Sequence, residues 1–599
     1  MLERRPLAAS QAKALALLGH IRRTVGSPAG RTAFYWTSVA LLAAVLASYL
    51  ATWMVGNWEM LTDPRLQNSD VRTVTFPFHR YARSPALQTD PIAEEMLALV
   101  PFGVHALYRV LVPLTDVYIA PKIVQALCLG IVVWAAVLLG RSRRGGFGAA
   151  ALISFVVLHD WFAVYRLASG LPRAFGFPLF ALWLAGSLAS KPWVRRGAAL
   201  ASAITYPSVM NLILAAEGIY SCRGLGSLPT AVLLRRLKRY ALLVLCCLLL
   251  VLPSTLGDDQ RGPVHTLEQA EKDPAFGKAG RLWILPFASP IESLGDAFID
   301  PLRPRGAPLV PSLAEPYGRD RDMSAVMLIA LVLLLPLFSL TPPPWLALAF
   351  SSGAVVLYGL SRILAFRLYS PERYYSFGMR MALMALFVVI LTQSFARLRG
   401  RTRQTARNAL AAGFIMVIWC VVGSGIVKRN GMTIDQRRDQ PLYEFIARLP
   451  QTVRVATHPM DGDGIPYYSA RATMGAFETL QPWFVDSWRR QRARTEDTLR
   501  ALYADDPQTI LEYSKRNHVT HFLIDRRKYK NDAAKRSASF EPFSAFARQL
   551  LAETKPRDLF FRSVPDAAVV YERGNWLLVD VARLASAGAS RRRDDDDVE

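Results

Sequence analysis

Apolar residues in this chain fall into long blocks rather than at the spacing of an amphipathic helix. A helix needs about 20 consecutive apolar residues to cross a hydrocarbon core of about 30 Å, and many of the blocks reach that length. We therefore predict a polytopic α-helical membrane protein. The predicted spans are residues 33–55, 119–140, 147–165, 172–190, 195–206, 208–222, 239–255, 323–341, 344–363, 375–395 and 408–427.

Two of these runs, 195–206 and 208–222, are too short to cross a membrane alone, and they meet at Tyr206-Pro207. Proline removes a helical hydrogen bond, so the local sequence fits either a broken or re-entrant pair or one kinked span. Lys and Arg are retained on the cytoplasmic side, and only the pair leaves every basic cluster on one side. The sequence thus predicts about 11 spans and a cytoplasmic N-terminus. The clusters are Arg4/Arg5/Arg22/Arg23, Arg141/Arg143/Arg144, Lys191/Arg195/Arg196, Arg235/Arg236/Lys238/Arg239 and Arg397/Arg399/Arg401/Arg403.

Polar stretches divide the rest of the chain. The predicted parts are a basic cytoplasmic N-terminus (1–32), a membrane module (33–427) with outer loops (56–118 and 256–322), an extracytoplasmic α/β domain (428–585) and a disordered charged tail (586–599). The first outer loop contains amphipathic segments suited to the membrane interface, such as DPIAEEMLALVPFGVHALYRVL.

Within the α/β domain the periodicity changes along the chain. VRVATHP and HFLIDR are predicted strands, whereas residues of about 483–503 and 507–517 are predicted helices. AAVVYERGNWLLVDV is predicted to form two strands around Arg573-Gly574-Asn575.

The composition agrees with a membrane protein. Of 599 residues, 52% are hydrophobic and only 20% are charged. The net charge of +24 would suggest nucleic-acid binding in a soluble protein, but here positive-inside bias explains it, and we predict no nucleic-acid partner. The sequence contains no Walker A motif, dinucleotide fingerprint or serine elbow, so it does not predict ATP-driven chemistry.

Asp70 is the first candidate for chemistry. It follows Asn68-Ser69, residues that favour a helix N-cap, just after the first span. Partial burial at that position raises the basicity of a carboxylate, which fits a general base or a metal ligand. The alternative from local sequence is an ordinary loop acid beside Arg72.

Asp90 is a second carboxylate of the same loop. In QTDPIAEE, Asp-Pro is typical of a helix start, with Asp as the cap and Pro at the first helical position. Capping is the primary prediction for Asp90, and contact with substrate or metal is the secondary one.

Arginines at the outer ends of spans are candidates for binding a phosphate. Arg173, in SGLPRAFGFP, lies at the mouth of one span, where its guanidinium either holds a phosphate or extends to bulk head groups. In PERYYSFGMR, Arg373 and Tyr374 lie at the start of a later span. Arg380 lies deeper in that span, and an arginine within an apolar run usually faces a polar cavity.

The sequence leaves the need for a metal open. His159-Asp160 lacks zinc-ligand spacing, and THPMDGDGIP, with Asp461 and Asp463, resembles a calcium loop so faintly that a turn is the better interpretation. We therefore predict no certain cofactor, with a divalent metal as an option.

The order of these features resembles the GT-C superfamily of integral-membrane glycosyltransferases, which includes protein O-mannosyltransferases, aminoarabinose transferases and oligosaccharyltransferase catalytic subunits. Patterns similar to QNSDVR, SGLPRAFGFP, PERYY, HPMDGDGIPYYSAR and THFLID recur together in uncharacterised bacterial proteins of this type. One position departs from the pattern, because many relatives have an acidic pair where this chain has Ser69 and Asp70.

The resemblance implies a glycosyltransferase that moves a sugar from a polyprenyl-phosphate donor to an envelope lipid, glycan or protein. It implies action at the outer face of the bacterial cytoplasmic membrane, with inversion at the anomeric carbon. Asp70 would be the acid that activates the acceptor, and Arg173 and Arg373 would bind the phosphate. Two alternatives stay open, namely a transporter or flippase for the same lipid carrier and a non-catalytic relative that binds envelope partners.

Overall fold

The computed structural model carries side chains and describes most of the chain, from residue 27 to residue 587. The described residues are 16, 27–56, 58–83, 85–142, 148, 150–151, 154, 167, 169–223, 226–255, 261–277, 279–282, 345–368, 373–397, 401–422, 433–435, 437–529, 539–554 and 558–587. The predicted span 323–341 and most of the predicted span 147–165 lie outside them.

Helices dominate the described part before residue 423. They are α1 (Pro28–Gly56), α2 (Trp58–Thr62), α3 (Ser69–Thr75), α4 (Pro91–Leu97), α5 (Phe102–Leu114), α6 (Ala120–Gly140), α7 (Gly176–Leu188), α8 (Pro192–Thr205), α9 (Pro207–Ser221), α10 (Thr230–Thr255), α11 (Leu267–Lys272), α12 (Trp345–Ile363), α13 (Gly378–Arg397) and α14 (Arg401–Val422). Among the described residues, four helices are long and apolar enough to cross a membrane, in α1, α6, α10 and α12.

These four helices overlap the predicted spans 33–55, 119–140, 239–255 and 344–363, although the one in α10 begins at Thr230, before the predicted start. On α10, Leu242, Leu245 and Leu249 are more than half exposed, which is the pattern of a helix whose side chains face lipid. The protein is therefore a membrane protein with several apolar helices. The total of eleven spans and the orientation stay predictions.

Helices α8 and α9 form an antiparallel pair. Arg195 near the start of α8 and Glu217 near the end of α9 form an ion pair, with Nε and Oε1 2.9 Å apart. One continuous helix would separate these residues by about 33 Å, so the chain must turn back at Tyr206. Tyr206 has non-helical angles (φ −149°, ψ 83°), and Pro207 opens α9. The broken pair is confirmed, and the single kinked span is wrong.

The region after residue 433 forms an α/β fold. Its helices and strands are β2 (Thr433–Asp435), α15 (Gln440–Arg448), β3 (Arg454–Thr457), β4 (Ala472–Thr473), α16 (Val485–Leu502), α17 (Pro507–Asn517), β5 (His521–Asp525), α18 (Phe543–Glu553), β6 (Val569–Arg573) and β7 (Trp576–Asp580), while β1 (Leu66–Asn68) belongs to the first loop. The predicted strands and helices of this region are confirmed.

A five-stranded mixed sheet with the order β4-β3-β5-β7-β6 forms the centre of the α/β fold. Strand β3 pairs in parallel with β4 and β5, whereas β7 is antiparallel to its neighbours. Apart from this sheet, β1 pairs with β2 in antiparallel register, Leu66 opposite Asp435. The start of the α/β region is thus joined directly to the segment that precedes Asp70.

Close packing of glycines holds the loop after β3. A Cβ atom added at Gly464 would lie 2.2 Å from the hydroxyl oxygen of Tyr443, and one at Gly462 would lie 2.5 Å from the carbonyl oxygen of Gly475. Tyr443 is buried, so its ring has little room to move. These two glycines therefore fix the position of Asp463, which lies between them.

We expect Gly464→Ala to destabilise the protein by about 1–3 kcal/mol, the usual cost of forcing extra volume into a packed interior. Thermal unfolding in detergent would measure this loss. Gly475→Ala is the matched control, because a Cβ there meets nothing closer than the Thr495 Oγ1 atom at 3.7 Å. Equal midpoints for the two variants would contradict the packing argument.

Candidate active site

Asp70 and Arg173, two residues singled out from the sequence, form an ion pair. Asn68 caps α3, and its Oδ1 atom accepts a hydrogen bond from the backbone N–H of Asp70 at 3.2 Å. The same Oδ1 atom accepts a second bond from Arg173 Nη2, also at 3.2 Å. The predicted cap is confirmed, and it holds both members of the ion pair. The Asp70 side chain keeps 29% of its surface exposed, so a substrate can reach it.

Arg72 connects this loop to the α/β region. Its Nη2 atom lies 3.9 Å from Oδ2 of Asp463, in the glycine-flanked loop of the α/β region. Asp463 Oδ1 accepts a hydrogen bond from the backbone N–H of Glu478 at 2.9 Å, and Glu478 pairs with Arg281. Three carboxylates in this region, those of Asp70, Asp463 and Glu478, therefore each face a guanidinium group.

Burial raises the pKa of Asp463 and of Glu478. The positive charge of Arg281 lowers both pKa values, and that of Arg72 lowers the pKa of Asp463. The charge of Asp70 raises both pKa values further, which places the three carboxylates within electrostatic range. The α/β region thus contributes acids beside Asp70, where the sequence showed only a single acid. Glu478 lies in no recognisable sequence motif. THPMDGDGIP was interpreted as a turn, and nothing in that pattern indicated that Asp463 lies near Asp70.

A second group of residues surrounds the start of α7. Arg173 lies in a 3-10 turn, Pro172–Phe175, that leads directly into this helix. Phe177 in its first turn stacks on Phe377 with ring centroids 6.0 Å apart, and the guanidinium of Arg373 lies 5.6 Å from the Phe377 ring. The structure therefore brings Arg173 and Arg373, predicted from separate motifs, to the same end of the helix bundle.

The structure also shows where Tyr374 and Arg380, the other predicted residues of that span, lie. Tyr374 is buried, and its hydroxyl donates to the Leu368 carbonyl and accepts from Asn211, both at 2.9 Å. Arg380 is half-buried in the first turn of α13. Substrate contact by either residue stays a prediction.

An apolar groove begins at this end of α7. It encloses about 660 Å³, including its open side, and is formed mainly by α6, α7 and α13. Among its lining side chains are Val132, Phe177, Phe180, Leu184, Met384 and Val388. Phe177 lines the groove and also stacks on Phe377, so this end of the groove is close to the region of Arg373. A hydrocarbon chain in the groove would have its polar end near the arginines.

Asp90 is a helix cap, as predicted. Its Oδ2 atom accepts a hydrogen bond from the backbone N–H of Ala93 at 3.1 Å, and Pro91 opens α4. Asp90 is only 5% exposed, and burial raises its pKa while the bond from Ala93 opposes the shift. Its additional role in substrate binding stays a prediction.

The described donor set does not fit a metal ion. In the part of the chain that the structure describes, no three His, Cys, Asp or Glu side chains form a group suited to hold one. Asp70 faces a guanidinium, which repels a cation. We therefore assign no step of the chemistry to a metal.

His79 joins the first outer loop to the α/β region. Its Nε2–H donates a hydrogen bond of 2.8 Å to the carbonyl of Tyr467. Burial lowers the pKa of His79 to about 4, while Asp116 raises it and Arg471 lowers it by smaller amounts. The imidazole is therefore neutral in the folded protein over most of the accessible pH range.

Because the folded pKa of His79 lies below the unfolded value of about 6.5, acid favours the unfolded chain. The stabilisation is complete above that value and is lost as the pH falls towards 4. We expect a loss of about 2 kcal/mol between pH 7 and pH 5 from this residue. Thermal unfolding of wild type and His79→Gln at both pH values would isolate it, because the amide also donates a hydrogen bond but does not titrate. Identical pH dependence in the two proteins would contradict the assignment.

The apolar groove, the two arginines Arg173 and Arg373 and the carboxylate of Asp70 are thus neighbouring features of this membrane protein. No protein-family model and no curated protein sequence matches the chain. Its structure is similar to that of ArnT from Cupriavidus metallidurans bound to undecaprenyl phosphate, with 16% identity and a TM-score of 0.42 over 91% of this chain and 98% of that one. It is also similar to the Archaeoglobus fulgidus oligosaccharyltransferase in complex with Zn and sulfate, with 11% identity and a TM-score of 0.38 over 85% of this chain and 70% of that one.

ArnT is an aminoarabinose transferase, and both similar structures are of GT-C superfamily members, the group that the sequence resemblance named. With TM-scores below 0.5 and identities of at most 16%, these similarities by themselves establish neither the activity nor the substrates of this chain.

Proposed function

We propose that this protein is a GT-C-type glycosyltransferase that transfers a sugar from a polyprenyl-phosphate donor to a hydroxyl of an envelope lipid, glycan or protein. The reaction takes place at the outer face of the bacterial cytoplasmic membrane, on the side of the α/β region. The main support for the proposal is the Asp70–Arg173 ion pair, because Arg173 lies in the turn just before Phe177, a lining residue of the apolar groove.

The groove and the arginines fit the two parts of the donor. The lining of the groove is almost entirely apolar, so it suits a polyprenyl chain and offers nothing to a water-soluble nucleotide sugar. Guanidinium groups bind phosphate through paired hydrogen bonds, and both Arg173 and Arg373 lie near Phe177, which lines the groove.

Asp70 supplies the base. As the acceptor oxygen attacks the anomeric carbon, its proton passes to the Asp70 carboxylate. The bond between the anomeric carbon and the phosphate oxygen breaks on the opposite face, and the pair of electrons leaves with the phosphate. Arg173 contacts the base and, in the proposed complex, the leaving phosphate, so it stabilises the charge that moves from one to the other. No ATP is required.

The proposal is tested by mass spectrometry of lipid-linked sugars in cells that lack the gene and express wild type or Asp70→Asn. Wild type should deplete one polyprenyl-phosphate sugar and release polyprenyl phosphate, whereas Asp70→Asn should leave that pool at the level of the deletion strain. If wild type changes no such pool, the transferase proposal fails. If both proteins deplete it equally, Asp70 is not the base.

A further inference from the structure

Tyr206 has a buried hydroxyl that the described structure leaves unsatisfied. The residue is 7% exposed, and its hydroxyl oxygen has no hydrogen-bond partner among the described residues. A buried tyrosine hydroxyl normally finds a partner, because leaving it unpaired in an apolar environment is unfavourable. A buried hydroxyl without a partner indicates that a bound ligand could accept its hydrogen bond.

The surroundings of Tyr206 favour an anion. Its ring lies against the first residue of α7, where a Cβ added at Gly176 would meet Tyr206 Cδ1 at 3.3 Å. Tyr206 also immediately precedes α9, so the starts of two helices meet at this ring. Neither helix start has a side-chain cap. The dipoles of α7 and α9 favour negative charge near their starts, and the C-terminal end of α8 opposes them in part.

The same location is next to the two candidate arginines. The Tyr206 ring lies 5.9 Å from the Phe377 ring, over which Arg373 is placed. Arg173 lies in the turn that leads into α7. The Tyr206 ring therefore lies near the end of the groove where the proposed function locates the donor phosphate.

Tyr374, the tyrosine that the sequence singled out, does not offer the same group. Its hydroxyl already donates to Leu368 and accepts from Asn211. Of these two buried tyrosines, only Tyr206 has a hydroxyl without a partner in the described structure.

We propose that the Tyr206 hydroxyl donates a hydrogen bond to the phosphate of the polyprenyl-phosphate donor and retains this bond to the departing polyprenyl phosphate. This inference rests on the proposed function and adds a catalytic residue to it. The bond strengthens as the anomeric carbon–oxygen bond breaks, because negative charge then builds up on the phosphate. The tyrosine keeps its proton throughout, so the acceptor proton still ends on Asp70.

Binding of polyprenyl phosphate and of the uncharged polyprenol to the purified full-length protein tests the inference without turnover. We expect Tyr206→Phe to weaken binding of polyprenyl phosphate about tenfold or more, the usual effect of losing a hydrogen bond to a charged group. Binding of polyprenol should not change. Without ligand, Tyr206→Phe should unfold at the same temperature as wild type or higher, because an unsatisfied buried hydroxyl has been removed.

Tyr220→Phe is the matched control, since Tyr220 lies at the other end of α9 and its hydroxyl accepts from Arg223 at 2.8 Å. It should bind polyprenyl phosphate like wild type. If wild type prefers polyprenyl phosphate and Tyr206→Phe binds it equally well, the role of Tyr206 is wrong and the proposed function stands. If wild type does not distinguish polyprenyl phosphate from polyprenol, the proposed donor site itself is wrong.

Discussion

Asp70→Asn should lower the rate of sugar transfer by about two to four orders of magnitude, the usual contribution of a positioned general base. Asparagine keeps the size of the side chain and can still bond to Arg173, but it cannot accept the acceptor proton. The donor phosphate is bound by other residues, so the affinity for polyprenyl phosphate should change little. Transfer from a radiolabelled polyprenyl-phosphate sugar by purified protein would measure both quantities.

Asp63→Asn is the control for this variant. Asp63 lies in the same outer loop and pairs with Arg65, with Oδ1 and Nε 2.8 Å apart, so the same change removes the same kind of ion pair outside the site. It should retain the transfer rate of wild type. A folded Asp70→Asn protein with undiminished transfer would show that another group deprotonates the acceptor.

Arg173→Leu should have the second large effect, a loss of about two to three orders of magnitude in transfer. Removing a preorganised donor to a developing anion has an effect of this size in other enzymes. Unlike Asp70→Asn, this variant should also bind polyprenyl phosphate more weakly, because Arg173 contacts the phosphate in the proposed complex. Arg173→Lys should recover part of the activity, since an ammonium restores the charge without the two-pronged geometry.

Arg83→Leu controls for the loss of one positive charge in the outer loops. Arg83 is exposed and donates only a long hydrogen bond of 3.4 Å to the Pro113 carbonyl among its described contacts. Its removal should leave both transfer and phosphate binding unchanged. If Arg173→Leu transfers sugar as Arg83→Leu does, the ion pair with Asp70 is structural only.

Local signals in the sequence predicted the parts of the site that depend on neighbouring residues. Asn68 as a cap, Asp90 as a cap before Pro91, and helix 507–517 follow from residues a few positions apart, and the structure confirms all three. The four long apolar helices α1, α6, α10 and α12 were predictable for the same reason, because a long run of apolar residues is a local feature of the sequence. The charge pattern also favoured the α8–α9 pair, which a long-range ion pair then confirmed.

Contacts between distant segments were not predictable in this way. No periodicity relates Arg72 to Asp463, or Arg281 to Glu478, because these pairs exist only after the α/β region packs on the outer loops. Tyr206 was recognised only as part of a helix break, since an unsatisfied hydroxyl is visible only once all its neighbours are known. The sequence therefore predicted Asp70 and Arg173 as candidates, while their surroundings required the folded structure.

In the proposed function, the donor phosphate binds near the end of the apolar groove, beside Asp70. A cryo-electron microscopy structure of the full-length protein with polyprenyl phosphate tests it most directly. We expect phosphate density within hydrogen-bonding distance of Arg173 and Arg373, with the lipid chain along α7 and against Phe180 and Leu184. Density for the phosphate at any other position, with Arg173 still paired with Asp70 and bonded to Asn68, would contradict the proposed function.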